Sequence, residues 1–176
     1  MSPIQSFEPI IGASPCVLIL GSMPSVASLK KQQYYGKPQN SFWRIMGALF
    51  SAGPDLAYEQ RTARLIEAGV AVWDVLASCE RAGSLDSAID MRSVQVNNIA
   101  DLLNANRRIG HVFFNGRKAE DIYRRHVIGS LPARAPELAY HCLPSTSPAM
   151  AALSFTDKLE QWRAVALAAN TRLQVH

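Results

Sequence analysis

The sequence predicts an α/β fold, a three-layer α/β/α sandwich built on a mostly parallel central sheet. Short runs that are apolar at every position alternate with longer segments whose apolar residues recur at helical spacing. Continuously apolar strands are typical of parallel sheets, because helices cover both faces of such sheets. A chain of 176 residues with 48% hydrophobic residues can bury a core of its own. We therefore expect one domain spanning residues 1–176.

The individual elements follow from local patterns. Four strands are predicted, at Val17–Leu20, Val70–Val75, His111–Asn115 and Leu138–Leu143. Five helices are predicted, at about Ser41–Ser51, Leu56–Ala68, Val94–Asn104, Arg117–Val127 and from Ser154 onward. Gly69 is a natural end for the second helix, and Ser154 is a suitable N-cap for the last one. Residues 21–39 are predicted to be a loop, and residues 78–90 are predicted to be polar and irregular.

Composition excludes several classes of protein. No apolar run approaches the ~18 residues that a membrane span needs, and the N-terminus lacks the pattern of a secretory signal. The three cysteines are far apart and none lies in a CxxC pair, so we expect neither a disulfide framework nor a metal cluster. Cys16 and Cys142 are predicted to be small buried hydrophobes. We expect a cytoplasmic monomer without a metal or a membrane partner.

Three unusual segments follow predicted strands and should meet at one cleft. In doubly wound α/β folds, ligands bind beyond the carboxyl ends of the strands, where residues 21–40, 115–116 and 144–150 lie. These segments contain no carboxylate, and no Asp or Glu occurs between Glu8 and Asp55. Basic residues do occur in the first segment, and the chain carries a formal charge of +4. A phosphate-bearing ligand could approach this cleft, and its aromatic side chains could stack on a base.

Several familiar active sites are absent from the cleft segments. There is no GxSxG elbow for a serine hydrolase, no glycine-rich dinucleotide loop and no Walker loop. Phosphoryl transfer with Mg²⁺ would need carboxylates that these segments lack. What remains is a neutral site of amides, hydroxyls and aromatic rings. Such a site can hold a nucleobase, position a water molecule and stabilise a departing anionic base.

Four sequence blocks resemble the uracil-DNA glycosylase superfamily, in particular its hypoxanthine-DNA glycosylase branch, family 6. They are GSMPS at 21–25, QYYGKPQNSFW at 33–43, FFNGRKA at 113–119 and LPSTSPAM at 143–150, and the resemblance covers roughly residues 15–160. It implies a uracil-DNA glycosylase-like fold and a monofunctional enzyme of base excision repair. Such an enzyme flips a deaminated base out of double-stranded DNA, with hypoxanthine as the expected base and uracil and xanthine as further candidates. It hydrolyses the N-glycosidic bond without a cofactor.

The resemblance also implies roles for individual residues. Asn40 would be the catalytic residue and would orient the attacking water, since an amide cannot remove a proton at neutral pH. Tyr35 would stack on the flipped base, Asn115 would bind the base edge, and Met23 would offer its backbone N–H. The last block would contact DNA, with Ser145, Thr146 and Ser147 holding phosphate and Pro148–Met150, including Met150, entering the minor groove.

Departures from the family pattern leave alternatives open. Mismatch-type relatives carry a catalytic Asn where this chain has Met23, and classical uracil enzymes carry an Asp in that motif. The alternatives are a mismatch-type uracil-DNA glycosylase, a non-catalytic binder of damaged DNA and a hydrolase of free nucleosides. Asn40 also precedes a predicted helix and could serve as its N-cap. The roles of Asp86 and of the loop at 78–90 do not follow from the sequence.

Overall fold

The computed structural model describes residues 1–173, and within them the chain forms seven strands and six helices. The strands are β1 (Ile4–Gln5), β2 (Val17–Gly21), β3 (Val70–Asp74), β4 (Leu76–Arg81), β5 (Ile89–Val96), β6 (His111–Asn115) and β7 (Ala139–Leu143). The helices are α1 (Val26–Lys31), α2 (Phe42–Phe50), α3 (Tyr58–Glu67), α4 (Ile99–Ala105), α5 (Arg117–His126) and α6 (Phe155–Leu173). Short 3₁₀ turns cover 86–88, 128–130 and 135–137.

A parallel sheet in the order β3-β2-β6-β7 forms the centre of the molecule. All three neighbouring pairs are parallel, and Ile19 in β2 lies beside Val72 of β3 and Phe113 of β6. Strand β2 is buried at every position, as its unbroken apolar sequence predicts. The predicted α/β class, its parallel sheet and its four strands are confirmed.

Two hydrophobic cores lie on opposite faces of this sheet. Alternation along β2 directs Leu18 and Leu20 into one core, with α4 and α5, and directs Ile19 into the other, with α2, α3 and α6. Trp162 of α6 anchors the second core, and its indole N–H donates to the Pro144 carbonyl over 3.0 Å. The three predicted layers are therefore present.

A second, antiparallel sheet of order β1-β4-β5 corrects the prediction for residues 78–96. The prediction of an irregular segment at 78–90 was wrong at both ends, because β4 and β5 pair there with two register shifts. Those shifts interrupt the two-residue alternation that a strand prediction needs. Helix α4 consequently begins at Ile99 rather than at Val94.

Smaller differences have local causes. The predicted loop at 21–39 contains α1, which Ser25 caps by accepting a hydrogen bond from the Ser28 N–H. Cys142 is exposed rather than buried, since β7 is an edge strand of the parallel sheet. Ser154 does cap α6, and its Oγ accepts from the Asp157 N–H over 3.1 Å. None of the helices in the described residues is long and apolar enough to span a membrane.

The order of the strands opens a crevice above β2. The chain leaves β2 towards β3 on one side, and β6 lies on the other side. The strands end at Gly21, Asp74, Asn115 and Leu143, so these four positions share one edge of the sheet. Backbone pairing continues past the edge, since the Val75 N–H donates to the Gly21 carbonyl over 2.8 Å. The segments that follow these four residues therefore surround a common opening.

We expect Asn97→Ala to destabilise the connection between the two sheets. The Asn97 side-chain amide donates to the carbonyls of Asp74 and Leu76, over 2.8 and 3.1 Å. Removing it leaves carbonyl groups without this donor, so the free energy of unfolding should fall by roughly 1–3 kcal/mol. Urea unfolding followed by circular dichroism measures the change. Asn104→Ala, on the exposed face of α4, is the control and should leave stability almost unchanged.

Candidate functional site

A cleft of about 410 Å³ opens at the carboxyl edge of the parallel sheet. This volume lies in the usual range for small-molecule sites. Every residue that the sequence singled out borders the cleft, namely Met23, Tyr35, Asn40, Asn115, Ser145, Thr146, Ser147 and Met150. Segments more than a hundred residues apart therefore meet at one site.

Thr146 joins three of these segments. Its backbone N–H donates to Asn115 Oδ1 over 2.9 Å, and its Oγ1 accepts from Asn115 Nδ2 over 3.0 Å. Its carbonyl accepts from both the N–H and the hydroxyl of Ser41, over 3.0 and 3.2 Å. Thr146 is only 1% exposed. It therefore fastens the wall of the cleft, and its neighbours Ser145 and Ser147 are more exposed than Thr146.

Asn115 also helps to fasten the wall of the cleft. It ends β6, is buried, and spends one N–H and one oxygen lone pair on Thr146. The following residue, Gly116, adopts φ +96°, and an added Cβ would lie 3.1 Å from Ser145 Cβ. The close approach of the two segments thus depends on a glycine. Asn115 keeps a second lone pair on Oδ1 and a second amide proton, and its side chain lies near enough to the Tyr35 hydroxyl to lower the pKa of that group.

Asn40 occupies the turn that leads into α2. Its Oδ1 accepts from the Phe42 N–H over 2.9 Å, so it does cap the helix start, one residue earlier than Ser41. This contact uses one lone pair of Oδ1. No group in residues 1–173 is hydrogen-bonded to Asn40 Nδ2. Capping holds the side chain in place and leaves hydrogen-bonding capacity at the cleft, so the two predicted roles are compatible.

Tyr35 supplies an aromatic wall. One face of its ring stacks on Phe42, with centroids 3.9 Å apart and planes inclined by 25°. Its backbone has φ 52°, which turns the chain sharply before Gly36. Burial raises the pKa of the Tyr35 hydroxyl, and the negative charge of Asp74 raises it further, so this group stays protonated. The other face of the ring is the one that a planar base could cover.

Tyr34 has a different environment from Tyr35. It is 4% exposed, its hydroxyl donates to the Glu8 carbonyl over 2.7 Å, and its carbonyl accepts from the Trp43 indole. Burial raises the pKa of this hydroxyl as well. Tyr34 therefore packs the loop onto the core.

Met23 and the residues around Ser147 also border the cleft. Met23 is 8% exposed and packs into the core beside α4 and α5. Ser145 Oγ accepts from the Ser147 N–H, and Ser147 Oγ accepts from the Ala149 N–H, each over 3.2 Å. The buried Lys158 reaches the Ser147 carbonyl over 3.4 Å. These contacts shape a short turn that presents hydroxyls and Met150.

Two carboxylates border the cleft, contrary to the sequence prediction of an acid-free site. Asp74 ends β3 and is 3% exposed, while Asp86 stands in the 3₁₀ turn at 86–88. Asp86 Oδ1 accepts from the Ser22 hydroxyl over 2.6 Å. Asp74 Oδ2 is buried without a hydrogen-bond partner in the described residues. The cleft is thus more acidic at its floor than the sequence suggested.

The charge state of Asp74 follows from its surroundings. Burial and, after it, the nearby Asp86 raise the pKa of Asp74 to about 7, although Arg81 acts in the opposite direction. Arg81 is itself buried and spends its Nη2 and Nε on the carbonyls of Pro24 and Gly83, over 2.6 and 2.8 Å. It forms no ion pair with Asp74 in the part of the chain described. Near neutral pH Asp74 is therefore partly protonated.

The rule that ligands bind beyond the carboxyl ends of parallel strands could have identified Asp74 from the sequence. It ends a predicted parallel strand, as do Gly21 and Asn115, but the residues that follow it carry no motif that draws attention to this strand end. Asp86 could not be found in this way, because it reaches the cleft through the β4–β5 connection. Leu85, which is 57% exposed beside the cleft, was missed for the same reason.

Metal ligation finds no support in the described residues. No group of three or more His, Cys, Asp or Glu side chains in residues 1–173 could hold a metal ion. Lys37, which is exposed, borders the cleft and adds positive charge at its mouth. The arrangement can hold a planar heterocycle against an aromatic wall, present amide groups to it, and attract a phosphodiester at the rim.

Comparisons with known proteins agree with this geometry. The family model of the uracil DNA glycosylase superfamily matches residues 9–169. Two curated proteins named hypoxanthine DNA glycosylase are similar to the chain. The one from Methanosarcina acetivorans is 38% identical over 116 residues, and the one from Methanosarcina barkeri is 36% identical over 118. Each match covers 65% of this chain and 72% of the relative.

A solved structure extends the similarity to nearly the whole chain. The solution NMR structure of a Methanosarcina acetivorans protein, provisionally named a uracil DNA glycosylase, superposes with a TM-score of 0.78. The two proteins are 32% identical, and the match covers 96% of this chain and 99% of the other. The similarity therefore includes the antiparallel sheet as well as the parallel one.

We expect the stability of the protein to decrease as pH rises from about 4 to about 7 because of Asp74. Its pKa is raised from 3.8 to about 7 on folding, so the native state binds more protons than the unfolded state in this window. A pKa difference of one between the two states corresponds to about 1.4 kcal/mol of stability. Urea unfolding across this range should show the wild type losing stability relative to Asp74→Asn as pH rises. A constant difference between the two proteins would contradict the raised pKa.

Proposed function

The chain belongs to the uracil DNA glycosylase superfamily and is a DNA glycosylase, and we propose that it excises hypoxanthine from double-stranded DNA, with Asn40 as the residue that positions water. Such an enzyme hydrolyses the N-glycosidic bond in base excision repair. The damaged nucleotide is flipped out of the duplex into the cleft, because its glycosidic carbon is inaccessible within the base stack.

The hydrogen bond that anchors the Asn40 side-chain amide is the observation that supports its proposed role. The bond from the Phe42 N–H fixes the orientation of Oδ1, and a second lone pair of that oxygen can accept a hydrogen bond from water. A water held in this way points its own lone pair at the sugar carbon. One well-placed orienting group accelerates a reaction by roughly 10²–10³-fold. Because an amide is not a base, the enzyme relies on positioning and is expected to be slow.

The remaining machinery supports bond cleavage electrostatically. Rupture of the bond develops positive charge on the sugar and negative charge on the base. The DNA phosphates stabilise the cationic sugar, and in this proposal the backbone N–H of Met23, which borders the cleft, donates to the anionic base. A purine or uracil anion leaves more readily than the alkoxide of a sugar glycosidase, which typically needs two carboxyl groups.

Each of the other predicted residues has a proposed contact. Tyr35 stacks on the flipped base with the ring face that Phe42 does not cover. Asn115 offers its second amide proton to the base edge. On the rim, Ser145 and Ser147 bind the phosphates beside the flipped nucleotide, Thr146 fastens that segment, and Met150 enters the minor groove.

Hypoxanthine is the proposed base because two relatives at 36–38% identity bear that activity in their names. Uracil and xanthine, which are also products of deamination, are the competing bases. We propose that the enzyme is monofunctional. The lysine that borders the cleft, Lys37, is exposed at its mouth and no lysine stands in a motif position for a Schiff base. Alkali should therefore be required to cut the strand after base release.

We further propose a cytoplasmic monomer. All the site residues predicted from the sequence, from Met23 to Met150, border the same cleft within one chain. The cysteines form no disulfide in the described residues, which suits a reducing compartment.

We expect Asn40→Ser to lower the single-turnover rate of base release by about 10²–10³-fold. Serine can still accept the Phe42 N–H at the helix start, so stability should change little, whereas the water-orienting amide is lost. The assay uses labelled duplexes that carry hypoxanthine, uracil or xanthine, followed by alkali to reveal abasic sites. Gln39→Ala, at the exposed neighbouring position, is the control and should retain the wild-type rate.

The same assay separates the alternatives. Release of hypoxanthine at the wild-type rate by Asn40→Ser would remove Asn40 from the mechanism. Base release restricted to uracil in mismatches would indicate a mismatch-type enzyme. Tight binding of damaged duplex without release of any base would indicate a non-catalytic binder.

We expect binding of a duplex to weaken steeply with salt. Each phosphate that the protein neutralises contributes a slope of about −0.9 to the logarithm of affinity against the logarithm of salt concentration. Fluorescence anisotropy with a labelled duplex between low and physiological salt measures this slope. Affinity for the free nucleoside deoxyinosine should be almost independent of salt, and a similarly flat result for duplex DNA would favour a hydrolase of free nucleosides.

A further inference from the structure

Asp74 is a buried carboxyl group to which neither the fold nor the proposed roles assign a task. It lies at the floor of the cleft, at the end of β3, and is 3% exposed. Its Oδ1 passes over Gly21, where an added Cβ would lie 2.5 Å away, and its Oδ2 has no hydrogen-bond partner in the described residues. Burial of an unpartnered carboxyl group opposes folding, so a purely structural role is a poor explanation.

The groups that face Asp74 come from three parts of the chain. Asp86 approaches from the 3₁₀ turn and carries a negative charge held by the Ser22 hydroxyl. Arg81 approaches from β4, with its guanidinium bound to the carbonyls of Pro24 and Gly83. Tyr35 and Tyr34 approach from the segment before α2 and stay protonated. The only cation in this set, Arg81, donates to backbone carbonyls through Nε and Nη2 and has no partner in the described residues at Nη1. It forms no ion pair with Asp74 there, and the nearby Asp86 disfavours a second negative charge.

These contacts favour the neutral form of Asp74 over its carboxylate. A neutral carboxyl group presents an O–H donor, whereas a carboxylate can only accept. The base acquires negative charge as it leaves, so a carboxylate on the cleft floor would repel it and a donor would stabilise it. The raised pKa of Asp74, caused first by burial and then by Asp86, agrees with this geometry.

We propose that Asp74 is a further catalytic residue, and that its neutral carboxyl group donates a hydrogen bond from Oδ2 to the flipped base and to the anion which that base becomes. This role rests on the proposed glycosylase function of the cleft. Asp74 borders the cavity and its Oδ2 is buried, so the side chain must rotate to present the O–H to the base. The role extends the proposed machinery, in which Asn40 acts on the water at the sugar and Asp74 acts on the leaving group.

The reaction balances with this assignment. The bond between the sugar carbon and the base nitrogen breaks, and its electron pair goes to the base. The oxygen of the water held by Asn40 forms a bond to the sugar carbon and releases one proton. If the proton of Asp74 passes to the base, the proton released by the water restores the neutral carboxyl group. The products are an abasic sugar and a neutral base.

A pH profile of single-turnover base release tests this role on a duplex that carries deoxyinosine. The wild-type rate should fall about tenfold per pH unit once Asp74 ionises. Asp74→Asn retains a donor that does not titrate, so this limb of its profile should be flat. Asp74→Ala should lose about 10²–10³-fold at pH 6. Asp86→Asn removes a charge that raises the pKa of Asp74, so its descending limb should move to lower pH.

Two results would overturn the proposal. One is a descending limb in Asp74→Asn at the same pH as in the wild type. The other is a wild-type rate that rises with pH and is lost equally in Asp74→Asn and Asp74→Ala, which would mean that the carboxylate is the active form. Thermal unfolding of each variant, measured separately, identifies any loss that reflects misfolding.

A measurement without turnover separates this proposal from the proposed function. The carbon NMR signal of the Asp74 carboxyl group can be titrated in the wild-type protein with and without free hypoxanthine. Preferential binding of the base to the neutral form should move the midpoint to higher pH, and a midpoint that stays or falls would overturn the role of Asp74. A wild type that releases no base from any duplex would instead overturn the proposed function and with it the catalytic role, whereas the NMR titration would still decide whether neutral Asp74 binds the base.

Discussion

The buried junction at Thr146 is the interaction on which the rest of the cleft depends. Its amide, hydroxyl and carbonyl bind Asn115 and Ser41, which lie on β6 and at the start of α2. Hydrogen bonds strengthen in a dry environment, and leaving any of these groups unpaired there would be costly. Three loops that could otherwise move independently are thereby fixed relative to one another. The distance between Asn40 and the turn at residues 145–150 is set by this junction.

Asn40 illustrates how one side chain can serve both stability and chemistry. Capping of the Phe42 N–H belongs to the local structure of α2, and it uses only one of the lone pairs of the amide oxygen. The same contact prevents rotation of the side chain, which is a condition for holding a water in a productive position. In the proposed mechanism, preorganisation of this kind takes the place of a general base.

The acidic floor of the cleft, unlike the Asn40 cap, opposes folding. The buried Asp74 lies near the half-buried Asp86, and the cation that acts on Asp74, Arg81, binds backbone carbonyls instead. Such an arrangement opposes folding, since it buries a carboxyl group whose Oδ2 has no partner in residues 1–173. Proteins tolerate groups of this sort mainly where they serve a ligand or a reaction. The cleft therefore combines a rigid neutral wall with an acidic floor that opposes folding.

Sequence reasoning succeeded wherever one local pattern decided the outcome. The unbroken apolar run of β2 identified a buried parallel strand, and the stripes of α2 and α5 identified helices, because burial on a sheet face requires those periods. The short motifs likewise brought Asn40, Asn115 and Thr146 to one edge, because the carboxyl ends of parallel strands share that edge. Local patterning failed at β4 and β5, where register shifts break the alternation.

The sequence by itself determined the fold class, the location of the cleft and the family, because each depends on residues close together in the chain. Only the tertiary structure decided which side chains form hydrogen bonds with one another and which charged groups lie close together. It committed Thr146 to Asn115, and it brought Asp86 beside Asp74 through the pairing of β4 with β5. Hydrogen bonding and charge state depend on distances between residues far apart in sequence. Those distances exist only once the sheets have formed.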